Sequence, residues 1–231
     1  MPKQPMKFSE YPFIVPNEKQ FIKKMEGFVN ELKACDNAED AAKVIKKINK
    51  YSEVIETKAS IIYVLYSCYT DNEKYKAAQD KLDEMSPTMS KYGTEISKIL
   101  VNASYRPELE KKLGSFLFRK YENSLKVFDE RIMPELIKEN KLSSEYDMIM
   151  GGAQIEFRGQ TLNLSQLGKF MQDKDRETRK AAAKAMDKWL AEHEERIGQI
   201  YDELVHIRTE IAHKLGYENF TPVGYLRMGR I

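Results

Sequence analysis

Cysteine is nearly absent from this chain: Cys35 and Cys68 are the two thiols among 231 residues, and their separation matches no metal-binding spacing. A disulfide framework is excluded, so few thiols suggest a reducing compartment, and each reads most simply as a small, partly buried hydrophobe. Histidine is as scarce, limited to His193, His206 and His213. Neither sign of charge dominates: 38 basic residues face 36 acidic ones, and a net charge of +2 gives no electrostatic case for nucleic acid or an anionic membrane. No stretch approaches the ~20 apolar residues of a membrane span, and the opening MPKQPMKFSEYPFIVP lacks the apolar centre of a signal peptide. The expected location is cytoplasmic. Also missing are GxxxxGK[ST], a GxGxxG after a strand, GxSxG, and any Ser/His/Asp set arguable from spacing.

What is present is helical periodicity. Apolar residues make up 42% and charged residues 32%, a balance suited to a globular chain with a core and an extensive solvated surface. Residues 1–16 carry Pro2, Pro5, Pro12 and Pro16 and read as an extended arm. Asn17 with Gln20 predicts a reciprocal cap, followed by Phe21, Met25, Phe28, Val29 and Leu32 on one helix face. Asp36 or Asn37 caps a second helix bearing Ala38, Ala41, Ile45 and Ile48. A third segment, 52–69, has a β-branched run around Ile61, Ile62 and Val64 that also suits a strand, though its length and flanks favour a buried helix. A long helix is expected from Asp71-Asn72 to about Asn102, then helices at 107–122, 123–139 and 144–150, with Pro134 kinking or interrupting the second. The sequence thus divides into the arm, a helical domain over 17–150, a hairpin over 151–164 and a helical segment over 165–231.

The hairpin is the exception to the helical pattern. Residues 154–164, QIEFRGQTLNL, alternate apolar and polar around Arg158-Gly159, where glycine admits φ > 0. Strand edges can hold an extended peptide through main-chain hydrogen bonds, so Gln154, Glu156 and Arg158 are candidate substrate contacts; a structural clasp is the plainer alternative. After a short helix with Leu167, Phe170 and Met171, a helix over about 174–215 ends at Gly216 with His213 and Lys214 in its last turn. Thr221-Pro222 then reads as the cap and first residue of another helix.

On the long helix, Met186, Leu190, His193, Ile197, Ile200, Leu204, Ile207 and Ile211 form a heptad-like stripe. His193-Glu194-Glu195-Arg196-Ile197 comes close to HExxH, the motif that places two zinc-binding histidines one helical turn apart. Ile197 stands where the second histidine belongs. His206 and His213 lie about 10 Å apart along a helix at ~1.5 Å per residue, too far for two bonds to one zinc. His193 therefore reads as a helix-packing side chain, and no residue is expected to be catalytic or to bind metal.

The segments AQIEFRGQTLNLSQLGKFMQDKDRETRKAAAKAMDKWL and IYDELVHIRTEIAHKLGYENFTPVGYLRMGR resemble the thimet-type zinc oligoendopeptidases, most closely the oligoendopeptidase F group. The second segment follows the family's IYDxLVxxRxxIAxKLGYxNFxxxGYxRMxR. The resemblance implies a mainly helical enzyme that hydrolyses short peptides in a deep channel. Its zinc is held by the histidines of HExxH and a downstream glutamate, with the motif's glutamate as general base. HExxH follows GYLRMGR in that family, so none of those residues maps onto this chain. The expectation is an N-terminal, channel-forming region that lacks its C-terminal catalytic domain, takes zinc only as part of the full-length parent, and does not hydrolyse peptides alone. Apolar surface left by the absent half would favour either self-association or a poorly ordered C-terminus after about Pro222. Two other readings stand beside it: a stand-alone helical module binding a peptide or a partner protein, and a coiled-coil dimer built on the 186–211 stripe.

Overall fold

A computed structural model describes residues 6–229; Pro2 and Pro5 of the expected arm and Arg230 of the second family-like segment lie outside them. The chain is mainly helical with one hairpin. Ahead of the first helix, Phe8–Glu10 form a single 3-10 turn within the otherwise irregular arm.

Helix α1 spans Glu18–Lys33, and the Asn17 side chain accepts from the Gln20 N–H at 3.0 Å. The return bond from the Gln20 side chain is not made, so only half of the expected reciprocal cap forms. Helix α2 runs without interruption over Ala38–Cys68 from its cap at Asn37. The two helices expected here are one, because no glycine or proline separates them. Ile55, Ile61, Ile62 and Tyr66 all fall on its buried face, which resolves the β-branched run as helix. Cys35 is half-buried but Cys68 is exposed, against the expectation of two partly buried thiols; both are free.

Helix α3, Glu73–Val101, is capped by Asn72 and contains Pro87. Proline deletes the N–H that would bond to the carbonyl four residues back. That carbonyl, of Asp83, instead accepts from Asn140 Nδ2 at 3.2 Å. The carbonyl freed by the proline is thereby tied to the neighbouring helix. Phe21, Phe28, Leu32, Ile45, Ile48, Met85, Ile96 and Leu100 from these three helices form the larger apolar core.

The single helix expected over 107–122 is two, α4 (Arg106–Leu113) and α5 (Ser115–Ser124). Gly114 between them has φ 90°, a left-handed conformation that a helix cannot continue through. Helices over 123–139 and 144–150 are likewise replaced by α6, Met133–Gly151. Pro134 starts this helix and does not break it: in the first turn its missing N–H has no intrahelical partner to lose.

Strands β1 (Ile155–Phe157) and β2 (Gln160–Leu162) pair antiparallel, with Ile155 opposite Leu162 and Phe157 opposite Gln160. Arg158 (φ 53°) and Gly159 (φ 75°) both take left-handed conformations, the turn that matches the twist of paired strands. Helix α7, Leu164–Phe170, opens with the reciprocal Asn163–Gln166 cap. Helix α8, Arg176–Lys214, has 39 residues and is about 58 Å long at ~1.5 Å per residue. Asp175 caps it, accepting from the Thr178 N–H and hydroxyl at 2.8 and 2.7 Å. At its far end Gly216 has φ 84°. There Tyr217 N bonds to Ala212 O and Gly216 N to His213 O, the double bond pattern of a glycine stop. Helix α9, Phe220–Arg227, is capped by Asn219 and not by Thr221, which puts Pro222 third in the helix. A second, smaller core joins Ile155, Phe157, Leu162, Leu167, Ala182 and Trp189, so the hairpin packs on α7 and α8.

Candidate functional site

The hairpin's alternation sends Ile155 and Phe157 inward and leaves Gln154 and Glu156 exposed on the opposite face. Glu156 accepts a hydrogen bond from the hydroxyl of Thr161, its cross-strand partner. Arg158 does not join them. From the turn it lies over the Phe157 ring at 5.5 Å and donates to Thr178 Oγ1 at 2.7 Å, bracing the hairpin against the start of α8. Of the three residues marked by the sequence, two share a solvent-facing surface and one is a brace.

Zinc is the metal the family resemblance implies, and the residues of this chain do not fit it. His193 donates from Nδ1 to Trp189 O at 2.8 Å, and its ring stacks on Trp189 with centroids 4.3 Å apart. His206 is committed to Asp202 O and His213 to Glu218 O. Among the described residues no group of three His, Cys, Asp or Glu side chains converges as a metal site.

Sequence reasoning took the Glu/Lys-rich faces as solvated, and missed that Glu135 and Glu139 of α6 are buried. Lys214 Nζ lies 2.8 Å from Glu135. Glu139 receives Arg208 and Arg227, each at 2.8 Å, and both guanidinium groups lie over the Phe220 ring, at 5.7 and 5.2 Å. Further along the same seam Arg196 makes two 2.6 Å bonds to Glu145, which holds that carboxyl below its ordinary range. Arg208, Lys214, Phe220 and Arg227 are all fixed letters of the family-like segment. Its pattern here builds a socket that seats α8 and α9 on α6. The available signal was the spacing of Glu135, Glu139 and Leu142, acids on the face where apolar residues belong.

The stripe on α8 is only partly covered. Ile200 and Ile211 are buried, but Ile197 is half-buried, Leu190 is 39% exposed and Tyr201 72% exposed. Ile197 is therefore not the core residue that its stripe position implied. With Leu190, Ala191, Gly198 and Tyr201 it forms an open, partly apolar face of α8. The helix is longer than the layer packed against it.

The chain matches the Peptidase M3 N-terminal domain over residues 8–128 and belongs to that peptidase family. Three solved structures share its fold closely. PZ peptidase A, solved with an inhibitor, is 37% identical with a TM-score of 0.94, over 97% of this chain and 40% of that one. A protein assigned as oligoendopeptidase F from Bacillus anthracis str. Ames is 38% identical with the same TM-score, over 98% of this chain and 42% of that one. A third structure, also assigned as oligoendopeptidase F, is 34% identical with a TM-score of 0.94, over 98% and 40% of the two chains. This chain thus spans about two fifths of the length of the structures it matches. No curated protein matches it. Among the described residues no helix is long and apolar enough to cross a membrane.

Proposed function

We propose that this chain is the N-terminal, channel-forming region of a cytoplasmic, zinc-dependent oligoendopeptidase acting on short peptides, and that it is inactive by itself. One observation carries the reading. Similarity at 34–38% identity runs along nearly the whole chain while covering only 40–42% of each matched structure. The zinc-binding HExxH is not in the sequence, and all three histidines are held by backbone carbonyls. In this reading the catalytic metal and its base come from the C-terminal catalytic domain, and the open face of α8 meets other parts of the whole enzyme. The exposed hairpin face, Gln154 and Glu156, borders the peptide channel.

A chimera tests this. Residues 1–231 replace the corresponding two fifths of the matched oligoendopeptidase F, and cleavage of a quenched peptide is followed. The chimera is expected to cleave, and the Gln154→Ala/Glu156→Ala pair is expected to raise KM with kcat little changed. An unchanged KM would take the hairpin out of the channel.

A further inference from the structure

Asp83 is a carboxylate only 6% exposed, and no cation pairs with it among the described residues. Its oxygens accept from Gln79 Nε2 at 2.9 Å and from Ser144 Oγ at 2.7 Å, both neutral donors. The basic side chain acting on it from α6, Lys141, is bound to Glu84 at 2.7 Å. Two neutral donors do not balance a buried charge.

Gln79 is 9% exposed. It gives its amino group to Asp83, and its carbonyl oxygen is buried with no partner. Gln79, Asp83 and Asn140 line one cavity of about 560 Å³ between α2, α3 and α6. Its apolar walls are Ala59, Val64, Leu82 and Met89, and the exposed Tyr63 ring also borders it. A water molecule could satisfy the amide oxygen but would leave the carboxylate unbalanced. A metal ion would find one carboxylate and one amide, too few ligands for a cage. An ammonium head supplies both a positive charge and three donors, and aromatic faces attract it further.

We propose that this cavity binds a small alkylammonium group, its head donating to Gln79 Oε1 and the Asp83 carboxylate and its hydrocarbon body lying against Ala59, Val64, Leu82 and Met89. The group is supplied either by a free amine or by the N-terminus of a short peptide.

The test is a titration of the isotope-labelled chain, followed by NMR at neutral pH, with n-butylammonium, n-butanol and butyrate. Saturable, single-site shifts of the side-chain amide of Asn140, which also lines the cavity, are expected with n-butylammonium alone. Asp83→Asn should weaken binding at least ~10-fold, as expected for loss of a charge-assisted hydrogen bond. This variant keeps its fold, since the new amide can donate to the Gln79 carbonyl once that amide turns over. Gln79→Met, of similar shape, removes the second acceptor and should weaken binding independently. The dipeptide Ala-Leu and its N-acetyl form separate the sources: binding lost on acetylation assigns peptide N-termini, and binding of n-butylammonium alone assigns a free amine. Equal binding of n-butanol, undiminished affinity in Asp83→Asn, or no saturable response to either amine overturns the proposal.

Discussion

Asp83 and Glu145 show how the same charge acquires opposite consequences from its surroundings. Burial raises the Asp83 carboxyl above its ordinary 3.8, with Ser144 and Gln79 only partly offsetting it. The folded state therefore holds the proton more tightly than the unfolded one, and stability falls as pH rises through the folded value. Below about the ordinary value both states are protonated and the penalty is gone. Asp83→Asn should accordingly melt higher than the parent at pH 7, with the difference closing as pH falls from the raised folded value to the ordinary one; a constant difference would assign it to something other than charge. The Arg196 bond lowers the Glu145 carboxyl from its ordinary 4.5, so its contribution is present above that value and is lost as pH falls through the lower folded one. Arg196→Ala should destabilise the chain at pH 7 and have little effect at low pH. Neither environment is legible in the sequence, where Asp83 and Glu145 are two acids among 36 acidic residues. What separates them is which helix folds over each.

At the scale of elements, the caps at Asn17 and Asn37 and the stop at Gly216 were readable, while the cap at Asn219 and the breaks between helices were not. Asn17, Asn37 and Gly216 do what their residue types favour, whereas the joins between α4 and α5 and the start of α6 depend on Gly114 and Pro134 acting at sites that periodicity does not mark. The hairpin was legible because alternation of period two is rare in a helical chain, and its turn specifies Gly159. Gly159→Ala places a side chain at φ 75°, which should cost about 1–2 kcal/mol in urea denaturation. The socket was hidden, since buried acids mimic surface ones in composition. Removing Glu139 would strand Arg208 and Arg227. Glu139→Ala should cost about 3 kcal/mol, the low end for losing one partner of a buried pair because Arg208 is 39% exposed. Loss below ~1 kcal/mol, the range of surface pairs, would show that the socket is ordinary surface.

At the scale of the whole molecule, the described residues form three apolar clusters, a seam rich in ion pairs seats α8 and α9 on α6, and a 39-residue helix carries an apolar face that is only partly covered. The fold class could be read from periodicity, and the family from two segments whose letters turn out to be caps, core and socket. The open face of α8 could not be read, because a heptad-like stripe does not say which of its positions will find a neighbour. If other parts of the enzyme cover this face, the isolated chain should self-associate as its concentration rises. Leu190→Glu with Tyr201→Glu, both at exposed positions, should return it to monomer in sedimentation without lowering its melting temperature.

On the proposed reading, peptide hydrolysis needs the zinc-binding HExxH, which does not occur in this sequence. The direct measurement is cleavage of a quenched short peptide by the pure 231-residue protein, with zinc supplied and with chelator added. The account predicts no hydrolysis above background under either condition. Steady turnover with zinc that the chelator abolishes would contradict it.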